Sequence, residues 1–167
     1  RNKLVALASF IALKEQRGGV IVTDSVTSDG LNEFIETTLG GIHHRFKRGY
    51  KNVIDEAIRI EAEDGRWAPL AIETSGHAAF RENYYLDDGA YLITRIIIEA
   101  ASLKKQGKTI GSVIESLKIP FEERETRFTI NLKDFRDYGM GVINDFKDLA
   151  EKTEGLTVAP VNHEGVR

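Results

Sequence analysis

The sequence predicts an α/β fold: a small mixed sheet with helices on both faces, followed by an incomplete α+β segment. Three observations carry this reading. Stretches with apolar residues at helical spacing alternate with short apolar runs, repeatedly, as far as Pro120. The first run, Val20-Ile21-Val22, is continuously apolar, as a strand buried on both faces requires. After Pro120 the pattern changes, because proline stops a helix and restricts the residue before it. The domains are accordingly expected at 1–119 and 120–167.

Each element has a local reason. Asn2 to Gln16 places Leu4, Leu7, Ala8, Ile11 and Ala12 on one helical face, and Arg17-Gly18-Gly19 closes it with basic charge and glycine. Thr23 to Gly30 is a polar loop in which Ser28 or Asp29 can cap a helix running to about Leu39. Ile42 to Phe46 reads as a second strand. Tyr50 to Glu63 reads as a helix with Val53, Ile54, Ala57 and Ile58 inward, ended by Asp64-Gly65. Ala68 to Ile72 is a third strand, and Phe80 to Leu86 is expected to be a loop. Asp87 and Asp88 open an apolar helix, Ala90 to Leu103, which should be covered on more than one side, with Arg95 and Glu99 paired at i,i+4. Thr109 caps a short helix to Leu117. Beyond Pro120, an alternating stretch within Glu122–Leu132 reads as a strand, Tyr138–Lys152 as a helix, and Leu156–Val161 and Gly165–Val166 as two further strands. A β-α-β-β segment without a return helix is not a self-sufficient layer, so a truncated second domain is expected.

The totals exclude several function classes. Lys and Arg number 23 against 26 Asp and Glu, a net charge of -3, which argues against a nucleic-acid binder built on phosphate contacts. There is no cysteine, hence no disulfide frame and no thiolate metal site. No apolar run approaches the ~20 residues of a membrane span. No secretory cleavage site follows the first helix, so a cytoplasmic location and no membrane partner are the expectation.

The chemistry concentrates in Glu73-Thr74-Ser75-Gly76-His77. Glu73 is an acceptor-only carboxylate, Ser75 donates and accepts, and His77 changes charge near neutral pH. Gly76 allows a sharp turn between them. On continued strand geometry Glu73 and Ser75 share a side, which suits a neutral polyol. Taken alone, the stretch reads more readily as a polar turn with a surface histidine. In an open α/β sheet ligands sit beyond the carboxyl ends of strands, where Thr23–Asp29, Arg48–Lys51 and Glu73–His77 all fall. His43 and His44 are neighbours on a strand and face opposite sides, which argues against a shared ion. Ser75 lacks the first glycine of a nucleophile elbow, which disfavours a hydrolase. Tyr84 and Tyr85 are expected to pack on the long helix.

Glu73-Thr74-Ser75-Gly76-His77, followed by Asp88-Gly89 before a long apolar helix, resembles the sugar-binding loop of the α-D-phosphohexomutases, the phosphomannomutase/phosphoglucomutase family. Gly49-Tyr50-Lys51 resembles the Gly-x-Lys segment of that family's third domain, and Val20 to Asp24 its first strand and loop. The resemblance covers 1 to about 119, and 121–167 look like the first half of the fourth domain. It implies that Glu73, Ser75, His77, Gly49 and Lys51 bind a hexose phosphate, with His77 a possible acid/base near the substrate. Ile72 stands where the family usually has Gly, and Arg48 where Thr is common. The family's phosphoserine loop, its Asp-x-Asp-x-Asp-Arg magnesium loop and its fourth-domain phosphate loop have no counterpart here. Phosphoryl transfer rests on positioning and cationic neutralisation. The resemblance therefore implies a sugar-recognition fragment, inactive alone, of a mutase using Mg2+ and a hexose 1,6-bisphosphate and completed by further domains of the same polypeptide. None of these cofactors is expected on the fragment. The alternative is a stand-alone phosphosugar- or carbohydrate-binding module without catalysis.

Overall fold

The computed structural model describes residues 1–14, 16–122, 124–159, 161 and 163–166. They fall into two compact units, 1–120 and 121–167. The first unit is a four-stranded mixed sheet of β1 (Val20–Asp24), β2 (Ile42–Phe46), β3 (Leu70–Ile72) and β4 (Ala78–Phe80), in the order β2-β1-β3-β4. β1 runs parallel to β2 and β3, whereas β4 pairs antiparallel with β3. The helices are α1 (Asn2–Leu13), α2 (Asp29–Glu33), α3 (Tyr50–Asp64), α4 (Gly89–Lys105) and α5 (Ile110–Val113).

Period-two alternation sorts the strand residues between two cores. Ile21, Leu70, Ile72 and Phe80 join α1, Leu31, Phe34, Ile35 and Leu92 on one face. Val20, Val22, Ala71 and Ala79 join Val53, Ala57 and Ile60 of α3 on the other. Helices thus cover both faces, as the apolar runs imply. All five residues of β1 are buried, which fits its place between two parallel neighbours.

Several expectations give way. The helix after Ser28 is an α-turn that continues as a π-helical turn, Phe34–Thr38, with Leu39 N–H donating to Phe34 O. The loop expected over Phe80–Leu86 begins inside β4, and the Glu73–His77 stretch is the loop of a β3-β4 hairpin. Tyr85 packs in the α3-side core, its hydroxyl donating to Ala68 O at 2.7 Å, rather than on the long helix; Tyr84 is exposed. α4 is not covered all round. It packs on α1, α5 and β4, which leaves Ile93, Ile97 and Ile98 more than half exposed in this unit. Its Arg95 and Glu99 do not pair with each other. Glu99 is buried and accepts two bonds from Lys14 Nζ at 2.8 and 3.0 Å, while Arg95 pairs with Glu82 and lies over the Phe80 ring. The partner comes from the residue that ends α1, so Glu99 is neutralised from across the packing interface and not along its own helix.

The second unit is α6 (Phe135–Lys152) with flanking irregular chain. Its described residues form no strand, so the strands read at 122–132, 156–161 and 165–166 are absent there; Glu123 and Pro160 of those segments lie outside the described residues. An alternating sequence becomes a strand only with a ladder partner for its N–H and C=O groups, and this unit supplies none.

Candidate functional site

Three loops meet beyond the carboxyl ends of β1, β2 and β3. The hairpin loop is closed by Glu73 N–H donating to His77 O at 2.9 Å and Gly76 N–H to Glu73 O at 3.0 Å. Gly76 has φ +105, a conformation that side chains rarely adopt, so the turn depends on glycine there. Within it Glu73 is buried. Its Oε1 accepts from Gly49 N–H at 2.6 Å, at the mouth of α3, and its Oε2 accepts from Ser75 Oγ–H at 3.3 Å. A carboxylate offers about four acceptor positions, so these two bonds leave part of its acceptor capacity unused. The strand ends at Ile72, yet Glu73 and Ser75 still converge because the turn folds the hydroxyl back.

Asp24, the last residue of β1, anchors the same loop from the other side. Its Oδ2 accepts from Thr74 N–H at 3.2 Å and from Thr74 Oγ–H at 2.7 Å. Burial raises the proton affinity of this carboxyl above the ordinary carboxylate range. The neighbouring Glu73 charge acts in the same direction, Thr74's two bonds and Arg48 in the opposite one.

His77 leaves the loop half exposed. Its Nδ1 meets Asp87 Oδ2 at 2.7 Å, and Asp87 Oδ1 also accepts from Ala78 N–H at 3.1 Å. A carboxylate at Nδ1 fixes the ring's orientation, so Nε2 is the ring nitrogen that lies outside this contact. The Tyr50 ring stacks on His77 at 5.1 Å between centroids. Tyr50, Gly49 and Glu73 therefore bring the start of α3 against the hairpin loop. Lys51 is the next residue, but its ammonium pairs with Asp55 at 2.5 Å, which raises its proton affinity, and the side chain is largely exposed.

The structure thus joins Glu73, Ser75 and Gly49 directly, sets His77 beside them through Tyr50, and leaves the Lys51 ammonium along α3. Sequence reasoning missed Asp24 and Asp87. Asp87 looked like a helix cap, yet Asp88 is the residue that caps α4, accepting from Tyr91 N–H at 2.9 Å. Its role needed β4 and the bridge that lays Asp87 beside Ala79. His43 and His44 face opposite ways, as adjacent strand residues must: His43 bonds Thr23 and Asn32, and His44 approaches Glu56. Among the described residues no group of three or more His, Cys, Asp or Glu could hold a metal.

The model of the phosphoglucomutase/phosphomannomutase alpha/beta/alpha domain III matches residues 1–119. This chain belongs to that family. Among solved structures, a phosphoglucomutase/phosphomannomutase family protein from Burkholderia thailandensis shares the fold with TM-score 0.70 and 23% identity, over 99% of this chain and 31% of that one. A putative phosphomannomutase from Thermus thermophilus aligns with TM-score 0.54 and 16% identity, over 70% of this chain and 24% of that one. The chain spans less than a third of the length of either. A comparison with curated proteins finds no match. No helix among the described residues is long and apolar enough to cross a membrane.

Proposed function

We propose that residues 1–119 are the sugar-recognition domain of a phosphohexomutase, and that 120–167 open its fourth domain. The whole enzyme, cytoplasmic in this reading, interconverts hexose 1-phosphate and hexose 6-phosphate of mannose, glucose or both. Phosphoryl transfer through a bisphosphate intermediate requires one sugar site to accept the hexose in two orientations. A carboxylate and a hydroxyl facing vicinal sugar hydroxyls serve either orientation, and that is the work assigned to Glu73 and Ser75. Gly49 and Lys51 flank the phosphosugar. His77, oriented by Asp87, stands as acid or base at its edge.

One observation carries this reading: Glu73 is held between the Gly49 N–H and the Ser75 hydroxyl, where the loops of parallel strands meet. Hydrogen bonds to a charged acceptor are worth roughly 1.5–3 kcal/mol each, enough to select a polyol. Mg2+ and hexose 1,6-bisphosphate belong to the whole enzyme. The described residues of this chain do not fit a magnesium site, and no step assigned to them runs through a metal. The nucleophile and phosphate loops of the family pattern are missing from the sequence, so the chain alone should show no turnover.

The test is a nuclear magnetic resonance titration of the chain with α-D-glucose 1-phosphate and α-D-mannose 1-phosphate. Saturable shifts at the amides of Gly49 and of residues 73–77 are expected, with a Kd of about 1 mM, or about -4 kcal/mol. Shifts confined to other surfaces, or none at all, would overturn the assignment.

A further inference from the structure

Asp24 is a carboxylate in an unfavourable place. It is only 2% exposed, and its Oδ1 is buried with no hydrogen-bond partner. An unpartnered buried oxygen on an ionisable group destabilises a fold. Its other oxygen takes both the N–H and the hydroxyl of one residue, Thr74, 50 positions away. Thr74 lies between Glu73 and Ser75, the two side chains the proposed sugar site depends on. The loop closes on itself through the backbone bonds among Glu73, Gly76 and His77 and the long Ser75–Glu73 side-chain bond, and Gly76 adds freedom rather than rigidity. Asp24, by contrast, sits at the end of a fully buried strand with parallel neighbours on both sides.

We infer that Asp24 is a positioning residue, which fixes the Glu73–His77 loop through its two hydrogen bonds to Thr74 and thereby sets the spacing of Glu73 and Ser75. The functional half of this inference rests on the sugar-site reading; the structural half does not. The task needs an acceptor at Oδ2. An asparagine keeps one carbonyl oxygen for Thr74 and carries no charge, whereas alanine removes the anchor.

The experiment compares amide hydrogen exchange and hexose phosphate binding in the full 167-residue chain and in Asp24→Asn, Asp24→Ala and Thr74→Val. In Asp24→Ala, exchange at Thr74 and Gly76 should accelerate by about tenfold or more, while Ile21 and Ala71 in the sheet stay protected. Binding of α-D-glucose 1-phosphate should weaken about tenfold in parallel. Asp24→Asn should restore both to near the parent values. Thr74→Val, which keeps the N–H and loses the hydroxyl, should fall between, and combining it with Asp24→Ala should add nothing further. Parent-like exchange at Thr74 in Asp24→Ala overturns the inference. So does Asp24→Asn loosening the loop as much as alanine, or full additivity of the two changes. If Asp24→Ala does not fold, Thr74→Val against Asp24→Asn decides: the loop loosened in the first and intact in the second supports the anchor, and any other pattern refutes it. If the parent chain binds no sugar phosphate, the sugar-site reading fails alone, and the exchange comparison still decides the role of Asp24.

Discussion

Glu73→Ala separates a residue that builds the site from one that only decorates it. The substitution removes the acceptor of the 2.6 Å bond from Gly49 N–H and of the 3.3 Å bond from Ser75. The first is a charge-assisted, part-buried bond, worth roughly 1.5–3 kcal/mol, and the second, long and with a mobile hydroxyl, contributes about 0.5 kcal/mol. Losing an ionised group from a buried site returns part of its desolvation cost, so the net loss should be about 1–3 kcal/mol. In a unit of this size that corresponds to a fall in Tm of roughly 4–12 °C. Glu73→Gln keeps an amide oxygen for Gly49 and should lose about 1 kcal/mol. Ser75→Ala should move Tm by less than about 2 °C, since it removes only the weaker bond. All three variants should weaken binding of α-D-glucose 1-phosphate. In a full-length enzyme, Glu73→Ala and Ser75→Ala should raise KM and lower kcat/KM. Differential scanning calorimetry with a binding titration reads both effects. A Glu73→Ala chain that melts with the parent would show that the Gly49 contact contributes nothing in solution, and with it would go the claim that Glu73 is prepositioned.

Three further perturbations test other parts of the unit. A Cβ at Gly30 would lie 2.1 Å from Lys118 O, and backbone cannot yield as a side chain does, so Gly30→Ala should cost about 1–3 kcal/mol in a denaturant melt; a neutral result would mean the 118 segment is not packed there. Lys14→Met leaves buried Glu99 without its partner and should cost about 1–2 kcal/mol, reduced from the fully buried case because Lys14 is partly exposed, while Lys14→Met with Glu99→Leu should recover most of the loss; equal losses in single and double variants would refute the pairing. Burial lowers the proton affinity of His44 although Glu56 lies 3.0 Å away, so the unfolded chain binds the proton more tightly. Stability should therefore be intact above about pH 6.5 and decline as pH falls from there towards the folded-state value. His44→Gln should flatten that part of the Tm-against-pH curve, and an unchanged slope would assign it to other groups.

What the sequence reveals and what it hides divide along contact range. β1 and β3 are legible because their apolar runs match the burial they receive, whereas β2, with polar residues at 43 to 45, is part-exposed along its length and lies at the sheet edge; the ordering of α1, α3 and α4 follows from spacing and caps. β4 is three residues, Ala78-Ala79-Phe80, with little intrinsic strand preference; it forms because β3 offers a ladder across a five-residue loop. The reverse holds at 127–132, where alternation is clear and no partner strand exists in the described unit. Glu99 makes the same point in side chains: the residue four positions away in sequence loses to one 85 positions away that shares its pocket. The site obeys this rule throughout. The kinds of group at 73, 75 and 77 announce a polar recognition loop, since their chemistry is local. What places them is not local: Gly49 lies 24 positions from Glu73, Asp24 50 from Thr74, and Asp87 on the far side of an unforeseen hairpin. A parallel sheet gathers loops from distant parts of the chain at one edge, so each loop carries its reagents in plain view while its supports are written elsewhere. Substitutions at those supports should change function without touching a ligand, and Asp24 is where this chain exposes that logic to experiment.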